Sequence, residues 1–327
     1  MAMASLFIAL RLPLLLFRVR KPIKPGRKHV HDKDSDDEDG APPARLVNYE
    51  QLPDWYRVQE CPFVTSKYRP ESNSYNACIQ SLAYLHNETM NIYTHLVPAL
   101  VLACGLPLLQ LNISRIYQHA PWMDRFMLTL TPMVALGTLT MSSTYHTLCN
   151  HSPFVSASCL LMDFTGILFL ILASFVTAIY VGFYNHPFEQ RLYWSMTALL
   201  ITASCLLVLH PRLQHPKYRP HRTAAFVSTV LSGLGPAFHG MYVHGVSRGW
   251  HECGVKWWFA EGFWYALGVV FFVSRYPERL VYGKDGKGPW KGRFDVWGSS
   301  HSLFHTCVVL GATCHCWGVW EAWKYAV

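Results

Sequence analysis

Seven stretches of roughly twenty mostly apolar residues leave this chain few folds to choose from, because each is long enough to cross a bilayer. They lie at 91–111, 126–148, 158–183, 193–209, 224–243, 257–273 and 300–320. In hydrocarbon every backbone polar group must find its partner within a helix or a closed barrel. The two-residue alternation of a membrane barrel strand is missing from all seven stretches. The expected fold is therefore all-α, a seven-transmembrane helix bundle. Composition agrees, with 51% hydrophobic residues and only 15% charged.

Three regions follow from the composition shifts: residues 1–60 as an N-terminal cytosolic region, 61–90 as a short amphipathic helical region, and 91–327 as the seven-helix domain. The opening "MAMASLFIALRLPLLLF" is broken by Arg11 and Pro13 and has no basic leader, so it reads poorly as a signal peptide. An interfacial anchor reinforced by Arg18, Arg20, Lys21 and Lys24 is the expectation, with an eighth span as the alternative. "HVHDKDSDDEDGAPP" is a charge run with turn formers and reads as a solvated linker. The net charge of +8 sits largely at 18–28 and in loops beside the spans, which points to anionic lipid and not to nucleic acid. The ten cysteines form no spaced framework, and several lie within spans as small packing residues.

Basic residues collect on the cytosolic side of membrane proteins. With the N-terminus inside, twelve flank the inner ends: Lys67, Arg69, Arg212, Lys217, Arg219, Arg222, Arg275, Arg279, Lys284, Lys287, Lys291 and Arg293. Only six, Arg115, Arg125, Arg191, Arg248, Lys256 and Lys324, flank the outer ends. The expected orientation is N-terminus cytosolic and C-terminus extracytosolic.

That orientation brings polar residues from separate spans to one depth. "MSSTYHTLCNHS" places Ser142 and His146 near the inner end of the second span, and "SCLLMDFTGI" places Asp163 two turns into the third. "GSSHSLFH" places His301 and His305 in the first turns of the seventh. At 1.5 Å per residue all of them lie roughly 10 Å inside the boundary. His301 and His305, four residues apart, share a helix face. Three imidazoles with an open fourth position are the ligand pattern of catalytic zinc, whereas structural zinc usually has four protein ligands. Asp163 would bind the ion or hold its water, and Ser142, one turn from His146, would bond the same water. Each residue alone has an ordinary explanation in helix packing, and the convergence is what points to a metal.

Other polar positions weigh less. "ETMNIYTH", with Glu88, Asn91, Thr94 and His95, is explained by helix capping and packing as well as by chemistry. His239 and His244 are five apart and off a common face, and Glu261 falls among Trp257, Trp258 and Trp264, which read as an interfacial belt. The side chains of "CHC" at 314–316 diverge by about 100° from one residue to the next, which argues against a metal pair. Pro236 with Gly233 and Gly235 predicts a kink in the fifth span.

The pieces "RPESNSYNACIQSLAYLHNETMNIYTHL", "SSTYHTLCNHS", "DFTGI", "RYPERL" and "RFDVWGSSHSLFH" occur in that order between Tyr68 and Trp317. Together they resemble the adiponectin receptor and haemolysin III family, the progestin and adipoQ receptors, and within it the fungal-type members. The resemblance implies seven helices with a cytosolic N-terminus, Zn2+ on His146, His301 and His305, and a family aspartate and serine at Asp163 and Ser142. It also implies receptors, ceramidase-like hydrolases or modulators of lipid and zinc homeostasis. Two departures stand out: Cys149 and Asn150 replace part of the usual Cys-His-Ser ending, and "GKDGKGPWKGRFD" lengthens the link to the last span.

The leading expectation is a zinc-dependent hydrolase of a lipid amide such as ceramide, in the plasma membrane or an endomembrane of the ER and Golgi. The rival is a receptor or lipid sensor whose zinc is structural. A transporter fits less well, because the histidines sit off the midplane and no internal repeat is visible. The expected partners are a lipid ligand and the surrounding membrane lipids. Nothing in the sequence selects an extracellular protein ligand.

Overall fold

The computed structural model describes residues 46–283 and 288–326. The anchor, the acidic linker, and Lys284 and Lys287 of the charge count lie outside these residues.

Helices dominate. The long ones are α1 (Thr89–Ile116), α2 (Trp122–Leu148), α3 (Pro153–Gly182), α4 (Pro187–Val208), α5 (Arg219–Leu231), α6 (Leu234–His244), α7 (Val255–Ser274) and α8 (Ser300–Ala326). Six of them, all but α5 and α6, are long and apolar enough to cross a membrane. The fifth apolar stretch is instead two helices of 13 and 11 residues that meet at Ser232 and Gly233. The expected kink is a two-residue interruption in which Ser232 and Gly233 keep right-handed helical dihedrals. Pro236 lies in the first turn of α6, where a missing N–H costs nothing. The pair begins beside Gln59, whose carbonyl accepts from Arg219 at 2.8 Å, and ends where His244 Nε2 meets the Gly182 carbonyl at 2.9 Å.

Local chemistry sets the helix ends. Ser152 caps α3 by accepting from the Val155 N–H, with Pro153 in the first turn. The C-terminus of α2 is capped by a side chain from far away: the buried Arg69 guanidinium donates to the carbonyls of His146 at 2.6 Å and Thr147 at 2.8 Å. Orphan carbonyls at a helix end need such donors. Arg69, counted in the sequence among the basic residues that flank the inner ends, therefore also works as a structural clamp. Cys149 and Asn150, the departures from the family ending, continue this clamp. Cys149 contacts Arg69 and Tyr56, and the Asn150 amide donates to the Pro70 carbonyl. Behind them Leu52, Tyr56, Val64, Tyr68 and Cys149 form a small apolar core under α2.

α8 is the spine of the bundle, packed along α7 and touching α1, α2 and α3. Without a hydrophobic drive between helices in lipid, close approach relies on small residues. Gly268, Gly311 and Gly318 provide it between α7 and α8. A Cβ on Gly311 would lie 2.4 Å from the Tyr265 ring, and one on Gly318 would lie 2.7 Å from Trp257 Cβ. Gly311→Ala should therefore overpack this seam and cost about 1–3 kcal/mol. A thermal unfolding scan in detergent checks it, and an unchanged melting temperature would show that the seam is loose.

The start of α8 is fixed by Glu278, a buried residue of the "RYPERL" motif. Its carboxylate accepts the Ser300 N–H at 2.8 Å and also the Ser300 hydroxyl. A carboxylate at a helix N-terminus satisfies an orphan donor and is favoured by the dipole. Glu278→Ala should cost about 1–3 kcal/mol, because it leaves the buried Ser300 donors unpaired. Its melting temperature should fall by several degrees, while Glu278→Asp should fall less. Five residues before Ser300, Asp295 of "RFDVW" accepts from the Thr65 N–H and from the hydroxyls of Thr65 and Ser66. The chain before α1 and the chain before α8 are thereby tied together at the end of the bundle where His301 begins its helix.

Candidate metal centre

Three rings meet at that end. The ligand atoms offered by His146 on α2 and by His301 and His305 on α8 all lie within 4.8 Å of one another. His146 and His305 are buried, and His301 is half-buried. His146 Nε2 and His301 Nε2 are 3.4 Å apart. Two ligands about 2.0–2.1 Å from a tetrahedral zinc are separated by about 3.4 Å, so the spacing fits such an ion. Imidazole nitrogen is also a donor that suits zinc, copper, iron or nickel.

The fit extends to the opposite ring nitrogens. His146 Nδ1 is 2.7 Å from Glu88 Oε2, and His305 Nδ1 is 3.0 Å from the Asn91 carbonyl. In both rings the Nδ1 atom is thus engaged, which leaves Nε2 for a shared ion. α1 supplies both contacts, so this helix closes the third side of the site.

Asp163 is buried on α3, with the Ser142 hydroxyl facing its carboxyl and His146 nearby. Among the described residues the clustered ligand group does not extend to Asp163. Its carboxyl is not among the atoms that lie within 4.8 Å of one another. Ser142 is fully enclosed, one helical turn from His146. His151 stays apart from the group, packed on Tyr75 with its Nδ1 against Ser152.

Two residues are missing from the sequence-derived site. Glu88 begins α1 without capping it through its side chain. The carboxylate instead turns to His146 and to the Asn91 amide, which donates at 2.7 Å. Its own N–H donates to His86 Nδ1 at 3.1 Å. Burial, helped by the nearby Arg69 charge, pushes His86 down to about 3, so that ring is neutral and free to accept. His95 lies face to face with His305, centroids 3.8 Å apart and planes 7° apart, and neither of its nitrogens has a partner among the described residues. The signal was present in "ETMNIYTH": positions 88, 91 and 95 fall on one helix face. Capping, packing and chemistry explain the motif equally well in sequence, because nothing there says which neighbour that face meets.

The family model described as haemolysin-III related matches residues 83–316, more than half of the chain. The chain belongs to this family. It is 32% identical over 280 residues to the ADIPOR-like receptor IZH2 of Saccharomyces cerevisiae, covering 86% of this chain and 84% of that one. It is also 32% identical over 283 residues to the adiponectin receptor protein of Drosophila melanogaster, covering 86% of this chain and 61% of the fly protein. A similar match joins it to progestin and adipoQ receptor-like protein 1 of Caenorhabditis elegans, 32% identical over 280 residues, with 85% of this chain and 61% of the nematode protein covered. The haemolysin-III match and the apolar helices make it an integral, multi-pass membrane protein.

Polar residues away from the histidines serve helix contacts. Glu261, which lies in sequence among the belt tryptophans, is buried and bonded to His315 Nδ1 at 2.8 Å. His315 Nε2 then meets Thr177, which meets Thr131, each at 2.9 Å. The central residue of "CHC" therefore joins α2, α3, α7 and α8. Further along, Asp124 takes hydrogen bonds from Tyr180, Tyr184 and Trp323. Buried carboxylates inside a membrane need such donors.

Proposed function

We propose that this protein is a zinc-dependent lipid amide hydrolase, with ceramide or a related lipid amide as substrate. The single observation that carries the reading is the triad of Nε2-presenting imidazoles beside a buried carboxyl that is not itself in the cluster. Three histidine ligands leave the fourth zinc position to water or substrate. His146, His301 and His305 would hold a zinc ion, which would supply a Lewis acid for the amide carbonyl and a water whose pKa is brought to about 7.

The chain's own residues supply the rest. Asp163 takes the proton of the attacking water and returns it to the leaving nitrogen, so the C–N bond breaks as a C–O bond forms and fatty acid and amine are released. Ser142 orients the Asp163 carboxyl. The apolar side chains of the surrounding helices would hold the acyl chain. The topology belonging to this reading is seven crossings with the N-terminus cytosolic. It is supported by the twelve-to-six placement of basic residues and by the interrupted α5–α6 pair, whose two ends lie at opposite ends of the bundle.

A second reading is favoured by the names of the relatives, which are called receptors: a lipid sensor in which the same ion clamps α2 and α8. One experiment separates them. Full-length protein purified in detergent is assayed for zinc content and for release of fatty acid from labelled ceramide, before and after stripping with a chelator and after zinc is restored. Zinc near one per chain with chelator-sensitive, zinc-restored turnover supports the hydrolase. Zinc without turnover supports the sensor, and activity that survives complete stripping overturns the mechanism.

A further inference from the structure

We infer that Glu88 is a positioning residue of the metal site, fixing the tautomer and aim of His146. The inference rests on the reading of the triad as a metal centre and extends it to a helix that contributes no ligand. Metal-bound histidines commonly donate the remaining ring N–H to a carboxylate or carbonyl, which fixes the ring and raises its basicity. Both halves of that pattern are present on α1: the Glu88 carboxylate at His146 Nδ1 and the Asn91 carbonyl at His305 Nδ1.

Glu88 is built for this task. It is buried, and its Oε2 accepts from the Asn91 amide as well as from His146, while Oε1 accepts from the Asn87 amide at 2.8 Å. Three donors from three residues hold the carboxylate in one orientation, so the His146 ring has one orientation to match. A helix cap would not need this arrangement, and Glu88 makes no cap bond. Charge points the same way. Three neutral imidazoles leave a divalent ion uncompensated in a low-dielectric setting, where an unpaired charge is expensive. The Glu88 carboxylate, in hydrogen-bond contact with a ring of the triad, is the acidic group placed to compensate it.

Zinc affinity of the purified full-length protein tests the inference, measured by competition with a chromophoric chelator beside the melting temperature of the stripped protein. Glu88→Ala should weaken zinc binding by about 10–100-fold. Glu88→Gln keeps an oxygen that can accept from Nδ1–H and loses the charge, so it should fall between wild type and Glu88→Ala, and it carries the test if the alanine variant cannot be recovered. In cobalt-substituted protein the visible d–d bands should shift in both variants as the His146 ring turns. A merely structural Glu88 would lower the melting temperature of stripped protein and leave affinity and bands unchanged, which overturns the inference while the metal reading stands. Wild type that takes up neither zinc nor cobalt overturns the metal reading and this inference with it.

Discussion

His305→Ala, purified full-length, should contain almost no zinc and release no detectable fatty acid from ceramide. The ring it deletes is enclosed, bonded to the Asn91 carbonyl and stacked on His95. His151, packed on Tyr75, lies outside the group and does not replace it. Two remaining nitrogens, from His146 and His301, make an incomplete ligand set for tetrahedral zinc. The loss should exceed the 10–100-fold in affinity expected when only a supporting residue is changed. The measurements are metal analysis and turnover on one preparation, with His151→Ala as the control that keeps both. A His305→Ala protein with full zinc and full turnover would remove the triad from the mechanism.

Asp163→Asn should separate binding from chemistry. The carboxyl lies outside the ligand group, so zinc content should stay close to wild type. The amide keeps the size and the contact with Ser142 but cannot take a proton, so turnover should fall by about 10²–10⁴-fold. Metal analysis and ceramide assay of the same sample check both halves. Loss of zinc together with turnover would make Asp163 a ligand. Retained zinc with unchanged turnover would remove it as the base.

The long helices and the three histidines were legible in the sequence because each signal is strong over a short window. A twenty-residue apolar run has few alternatives in a bilayer, and an i, i+4 histidine pair on one helix shares a face by geometry alone. The interruption between α5 and α6 was half visible. Gly233, Gly235 and Pro236 announced a bend, but how far the helix opens depends on what packs beside it, and Phe175 presses on the Gly233 position. Arg69 and Glu261 show one limit: the partners of a charge near a span end cannot be read from its neighbours in sequence. Their partners, the α2 carbonyls and His315, are tens of residues away in the chain.

By itself the sequence determined that this chain is a bundle of membrane helices, and it singled out His146, His301, His305, Asp163 and Ser142 as candidates expected at one depth. Periodicity, apolar length and rise per residue are local quantities, and depth in a bilayer follows from them. Only the tertiary structure decided which helix faces which: that α1 turns Glu88, Asn91 and His95 toward the triad, that Asp163 stands beside the ligand cluster, and that the histidine nitrogens come within ligating distance. Those facts depend on rotation about the helix axes, set by close packing at Gly268, Gly311 and Gly318 and by long-range bonds from Arg69, Glu278 and Asp295. No window of sequence contains that information, because the residues that fix each rotation belong to different helices.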